Sequence, residues 1–365
     1  MKIKRVILYH VDLPLKFVFK TAQESLSHRE TLILKVFDTE GNYGYGEAVA
    51  FTTPFYTEET LAKSLQVLKD DYIPQILNRE IEHPFAIHAL LDRRFPMAVA
   101  GLENALLELW AKNSQKNLLA ALFPEKFREY IEMGLVLGDL PYPELAEKIR
   151  EYRAAGCRRF KIKIKPEDGY QRISQVVRDF PDLQLAVDAN RSYNLSQLQE
   201  VKKFDALPLL CLEEPFARIE NYPQLQSQLQ TPICLDESIQ SMEQLKKAAE
   251  LNLFRVLNIK IGRLGGLYYV RQMIDFCRQN SLQYWIGSIV ESGISKILHV
   301  GLAALPDTYM AGDLSDSCRY FAEDLIEPAI AFVGGKMQVP QGIGLGVQIK
   351  EQILAQYTLE KWVIV

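Results

Sequence analysis

At 365 residues the chain is long enough for two domains, and its 48% hydrophobic and 24% charged residues suit an ordinary globular protein. Its formal net charge of −4 is spread along the chain, which excludes the basic footprint of a nucleic-acid or anionic-membrane binder. No stretch has the length and apolarity of a transmembrane helix, and Met1–Lys16 alternates like a strand and lacks a signal peptide's apolar core.

The N-terminal third carries strand patterns in KRVILYHVDLPL, ETLILKVFDTEG and YGYGEAVAF, with a turn at DTEGN (38–42). Helical spacing follows over Glu58–Leu77 and Pro96–Lys112. This predicts an α+β domain over residues 1–125, with a contribution from about 320–365. The tail GKMQVPQGIGLGVQI (335–349) is strand-like and is expected to pair back onto it. The five cysteines (157, 211, 234, 277 and 318) form no CxxC pair, so reduced thiols in a cytoplasmic protein are expected.

From 126 to 320 the rhythm changes. Five strand-like segments each end in a charge: FKIK at Lys163, LQLAVD at Asp188, LLCLE at Glu213, PICLD at Asp236 and VLNIK at Lys260. Subtraction gives intervals of 25, 25, 23 and 24 residues, the length of a strand, a loop and an amphipathic helix. The helices are read in SQLQEVKKF, SMEQLKKAAEL and GLYYVRQMIDFCRQN. Further strand–helix units fit before them (YIEMGLVLG, then Pro143–Ala155) and after them (LQYWIGSIV, then Ser295–Leu305). TYMAGD (308–313) is the eighth strand candidate.

The residue before each charge is apolar (Ile162, Val187, Leu212, Leu235, Ile259), while two positions back lie Lys161, Ala186, Cys211, Cys234 and Asn258. Side chains alternate across a strand, so the charges share the inner face. The predicted fold class is α/β, a (β/α)8-type TIM-like barrel, with a doubly wound open sheet as competitor. Charges on five successive strand ends need the common centre that the C-terminal mouth of a barrel provides.

Asp188, Glu213 and Asp236 would repel one another without a cation between them. An all-oxygen set suits a hard divalent ion, Mg2+ with Mn2+ as substitute. Capping of the following helices is the bland alternative for each acid. Lys161 and Lys163 share one face of their strand, and Lys260 arrives across the mouth. A metal flanked by lysines suits removal of a proton α to a carboxylate. No GxSxG, HExxH or Walker loop is present, and no histidine ends a ladder strand. GRLGG (262–266) lacks dinucleotide-binding spacing. A Schiff-base aldolase would use the lysines but leave the carboxylates idle.

KIK (161–163), VDAN (187–190), LEEP (212–215), LDES (235–238) and NIKIGRLGG (258–266) resemble the enolase superfamily, in its muconate-lactonizing subgroup. VAFTTPFYTEETL, IVESGI, GDLSDSCRYFAEDLIEP and QVPQGIGLGV are similar to its o-succinylbenzoate synthase and N-succinylamino acid racemase family. The resemblance implies a lyase of menaquinone or phylloquinone biosynthesis that performs a Mg2+-assisted syn dehydration, with racemisation or dipeptide epimerisation as the alternative. By the same resemblance Asp188, Glu213 and Asp236 hold the metal, and Lys163 is the base. Lys161 tunes Lys163, and Lys260 stabilises the enediolate or serves the opposite face. The N-terminal domain becomes a cap, with loops near Phe19–Ser25 and Phe51–Tyr56 closing over a small-molecule carboxylate. Phe51, Asn190, Arg263, Ser288, Glu291, Ser292 and Gly293 are the implied substrate contacts. No nucleic acid or membrane is implied as partner, and a homo-oligomer stays open. Three positions depart from or narrow the pattern. Glu214 stands where glutamine is usual, Lys296 follows ESGIS unexpectedly, and Arg263 looks like a racemase-branch feature.

Overall fold

The computed structural model describes residues 1–20, 24–226 and 228–365. Residues 21–23 of the expected lid loop at Phe19–Ser25 lie outside the described residues.

The N-terminal sheet is antiparallel, in the order Thr358–Ile364, Ile3–Lys20, Ser25–Asp38 and Tyr43–Ala48. Its tight turn is made by Asp38, whose carboxylate accepts the Glu40 and Asn42 N–H groups at 3.0 and 2.9 Å. Strand alternation buries both faces of this sheet. Val6, Leu8, Leu32, Leu34 and Val36 pack with the helices Leu61–Val67 and Pro96–Asn113. Ile7, Tyr9, Val11 and Ile33 join the core of the following domain instead. At about 1.5–3 kcal/mol for each fully buried aliphatic side chain, that second face is a strong tie between the two halves. The alternating glycines of YGYGEA allow close approach: a Cβ on Gly46 would lie 2.1 Å from Gly101 O of the long helix.

The second sheet has seven parallel strands in sequential order. They are Gly134–Leu137, Arg159–Lys163, Gln184–Asp188, Leu209–Glu213, Ile233–Leu235, Val256–Ile259 and Gln283–Ile286. The eighth position differs from expectation. Residues 308–313 form no strand, yet this stretch closes the ring by single bonds. Tyr309 N donates to Tyr284 O at 2.8 Å, Asp313 N to Ile286 O at 3.0 Å, and Gly134 N to Leu314 O at 3.1 Å. Gly134 permits that approach, since a Cβ there would sit 1.9 Å from Gly312 O. The fold is thus a TIM-like barrel with an N-terminal cap.

Inside and outside follow the alternation. Ile162, Val187, Leu212, Leu235 and Ile259 lie in the core shared with the outer helices. Ala186, Cys211, Cys234, Val256, Trp285 and Met310 form a small cluster inside the barrel. The tail needs a correction. Lys336–Gln338 pairs with Tyr130–Glu132, and Gln348–Ile349 with Ile326–Glu327, so 335–349 does not extend the cap sheet. The returning strand is Thr358–Ile364. No helix among the described residues is long and apolar enough to cross a membrane.

Candidate active site

Register sets the first row of charges: Lys163 is the cross-strand partner of Asp188, and Asp188 of Glu213. All three carboxylates of the ladder are buried. Lys161 Nζ lies 2.8 Å from Glu213 Oε1, 3.0 Å from Asp188 Oδ2 and 3.3 Å from Asp313 Oδ2. Burial disfavours its ammonium, but Asp188, Asp313 and Glu213 together outweigh that and hold its pKa well above the ordinary value. Below it lies Trp285, 5.0 Å from Nζ to ring centroid, with the Arg159 guanidinium 4.6 Å from the same ring.

Lys163 Nζ donates to Asp188 Oδ2 and Asn190 Oδ1, both at 2.6 Å. Asn190 in turn donates to Glu237 Oε1 at 3.0 Å. Across the mouth Lys260 Nζ donates to Asp236 Oδ2 at 2.6 Å, and the Arg263 guanidinium pairs with Asp236 Oδ1. Burial opposes the Asp188 charge, but Lys161 and Lys163 hold its carboxyl below the usual range. Burial and then the neighbouring Asp188 push Glu213 upward. Its Oε2 is buried without a hydrogen-bond partner, while Oε1 takes Lys161 and the Asn258 amide at 3.0 Å.

Among the described residues no three acidic, histidine or cysteine side chains are gathered tightly enough to hold a metal as they stand. The donor set nevertheless fits a hard divalent ion. Three buried acids end adjacent strands, and one oxygen of the central acid is orphaned.

One cavity is lined by Lys161, Lys163, Asn190, Lys260 and Ser288, with Phe51 and Tyr56 of the cap over them. Four expected substrate contacts stand behind its wall. Arg263 is spent on Asp236, Tyr56 OH at 3.2 Å and Ile239 O at 3.1 Å. Glu291 accepts from Ser288 Oγ at 3.0 Å and from Ile289 N–H. The Ser292 N–H goes to Glu47 of the cap at 3.1 Å, and that of Gly293 to Asp324 at 2.8 Å. Their main-chain donors are therefore already committed.

The turns after three of the barrel strands, Gln184–Asp188, Leu209–Glu213 and Gln283–Ile286, are unusually bent. Asn190, Arg191, Glu214 and Val290 have positive φ of 41°, 64°, 40° and 56°. For a β-branched valine this conformation is costly, and such strain collects at functional sites. Glu214 explains its own departure from glutamine. Its Oε1 accepts the Asp236 and Ser238 N–H groups at 2.8 Å each, and Oε2 takes Ser238 Oγ and Tyr222 OH at 2.8 and 3.0 Å. It thereby fixes the backbone that aims Asp236. Burial and the nearby Glu237 raise its pKa to about 7.

Residue-level reading missed Asp313, Glu237 and Tyr320. Asp313 was findable, because it ends the eighth position as the other acids end theirs. Glu237 follows Asp236 directly, at a position where strand alternation would point away from the barrel's interior.

The family model described as Enolase C-terminal domain-like matches residues 144–353. An o-succinylbenzoate synthase of Bacillus subtilis is 37% identical over 98% of this chain and 97% of its own length. The chain belongs to the enolase superfamily. Within the superfamily, an N-succinylamino acid racemase of Thermus thermophilus is 36% identical over 98% of both chains. The chain thus sits in the o-succinylbenzoate synthase and N-succinylamino acid racemase family. A solved superfamily member from Listeria innocua superposes with TM-score 0.96 at 32% identity, covering 100% of this chain and 99% of the other. The muconate lactonizing enzyme of Pseudomonas putida, at TM-score 0.89 and 20% identity, shares the fold. Enzymes of this superfamily generally use a divalent metal.

Proposed function

We propose that this enolase-superfamily chain is an o-succinylbenzoate synthase, a carbon–oxygen lyase of quinone biosynthesis. The observation that carries this reading is one cavity lined by Lys163 and Lys260, with three buried acids of adjacent strands around it. Near full-length similarity to named synthases supports the choice of reaction.

Asp188, Glu213 and Asp236 would hold Mg2+, with Mn2+ as substitute. The ion supplies positive charge against the substrate carboxylate as negative charge develops there. Lys163 takes the α proton and then delivers it to the departing hydroxyl on the same face, so the dehydration is syn. Lys161, tied to three acids, stays an ammonium and balances their charge. Lys260 offers a second ammonium from the far side. Phe51 and Tyr56 exclude water above the reacting carbon.

A second reading is favoured by Lys260 itself. A lysine across the cavity from Lys163 can return a proton to the opposite face, which is what racemisation of N-succinylamino acids requires. Four buried free thiols support a cytoplasmic setting.

The deciding assay supplies the cyclohexadiene precursor and follows aromatic product, then offers N-succinylamino acids in deuterated water. Aromatisation is expected. Exchange at the α carbon with no aromatic product would overturn the synthase assignment.

A further inference from the structure

Lys296 is the residue that neither the fold nor the chemistry above has used. It lies in the first turn of the helix Gly293–Ala303 and is 1% exposed. Long helical side chains lean back toward the N-terminus, here toward the mouth of the barrel. Its ammonium has no hydrogen-bond or ion-pair partner among the described residues. What it meets is the ring of Tyr320, 4.7 Å from Nζ to centroid. Glu291 is the acid whose charge it feels, but that carboxylate already accepts from Ser288 Oγ and Ile289 N–H, with His299 Nδ1 at 3.4 Å. A buried cation satisfied only by an aromatic face is costly unless something else pairs with it.

Tyr320 also borders the catalytic cavity, beside Val136, Ile289 and Val290. These four give the cavity an apolar lining next to the ammonium groups of Lys161, Lys163 and Lys260. Both kinds of relative are named for succinyl compounds, an o-succinylbenzoate and N-succinylamino acids. Such a molecule carries two carboxylates. One belongs at the reacting carbon, among the lysines and acids, and the other must end several bonds away.

We propose that Lys296 is the subsite for this second carboxylate, with the Tyr320 ring as its cover. The bound carboxylate replaces the ring as the partner of the ammonium. This rests on the functional reading above for the ligand's chemistry. It deepens that reading by naming the residue that selects a succinyl group over an uncharged acyl chain.

The experiment measures binding, by calorimetry with Mg2+ present, of o-succinylbenzoate and of its half-ester methylated on the side-chain carboxylate. Wild type and Lys296→Arg are expected to prefer the diacid by about ten- to a hundredfold, the range of a charge-assisted hydrogen bond. In Lys296→Met that preference collapses to about threefold or less, because the diacid weakens while the half-ester binds as before. Lys296→Gln takes the place of the Met variant, by the same criterion, if thermal melting shows the latter unfolded. Two results with the Lys296→Met variant overturn the proposal. Lys296→Met keeps the full preference, or it weakens both compounds equally, as a purely structural lysine would. Arg319 also faces the Tyr320 ring, its guanidinium 5.0 Å from the centroid, so collapse of the preference in Arg319→Met alone moves the subsite to that guanidinium and equally overturns the proposal. A wild type that aromatises the precursor but shows no diacid preference sinks Lys296 alone. A wild type that shows the preference without turnover sinks the synthase reading alone.

Discussion

Lys163 and Asp188 face each other across neighbouring strands, and the lysine Nζ sits 2.6 Å from the aspartate Oδ2. The pair places the base over the acids. It also leaves Asp188 provided for if the lysine is lost, because Lys161 lies 3.0 Å from the same oxygen. Lys163→Ala is therefore expected to cost about 10^2- to 10^4-fold in turnover with little change in thermal melting. Near wild-type turnover by the folded variant would show that another group takes the proton.

Asp236 is held from both sides, by Lys260 on Oδ2 and Arg263 on Oδ1. Asp236→Asn keeps its shape but removes the negative charge that a divalent ion needs. Calorimetry should record affinity for Mg2+ weakened by at least about tenfold. Chelation should abolish turnover in the wild type, and added Mg2+ should restore it. Unchanged metal affinity in the variant would remove Asp236 from the ligand set.

Much of this arrangement was written in the sequence, for a physical reason. A parallel strand pointing into a barrel has one polar end and one apolar face, so KIK, VDAN, LEEP and LDES declare both position and phase. The outward set Ile162, Val187, Leu212, Leu235 and Ile259 is buried as the alternation required. Where backbone geometry takes over from alternation, the pattern stops being informative. The eighth position closes by three isolated bonds around Gly312 and Asp313, so TYMAGD has no ladder to reveal. The donors of Ser292 and Gly293 read as open to a substrate, but Glu47 and Asp324 from distant segments occupy them. Such long-range pairing leaves no local trace. The tail 335–349 has strand composition, and composition does not say which edge a strand will find.

Glu47 ties cap to barrel. Its carboxyl accepts Ser292 N–H, Ser292 Oγ and Ser295 N–H at 3.1, 2.7 and 3.2 Å, at the start of the helix Gly293–Ala303. Burial raises its pKa from 4.5 to about 7, against the pull of Arg29 and the Ser292 bonds. Folding therefore favours the protonated acid. This contribution is complete below about pH 4.5 and is lost as pH rises through about 7, amounting to roughly 3 kcal/mol. Urea denaturation should show wild-type stability falling between about pH 4.5 and 7 and a flatter profile for Glu47→Gln. The penalty of the substitution then shrinks or reverses at high pH. Parallel profiles for the two proteins would mean that Glu47 is ionised throughout.

Gly134 decides whether the barrel can close. A Cβ there would lie 1.9 Å from Gly312 O, and because it is fixed to the main chain and meets a main-chain oxygen, no side-chain rotation relieves the collision. Gly134→Ala must push the 309–314 segment away from the first strand and lengthen the Gly134 N–H to Leu314 O bond. Overpacking of this kind costs about 3 kcal/mol or more, measurable as a lowered urea midpoint. Turnover should fall as well, because Asp313 follows Gly312 directly and pairs with both Arg159 and Lys161. Gly41→Ala separates a steric effect from a backbone one. Gly41 has φ of 89° with nothing within 4 Å of its Cβ position, so its cost is limited to about 1 kcal/mol of local strain. Equal melting of the two variants would show that the eighth position yields freely. Asp313 would then be held by its ion pairs with Arg159 and Lys161 rather than by ring closure.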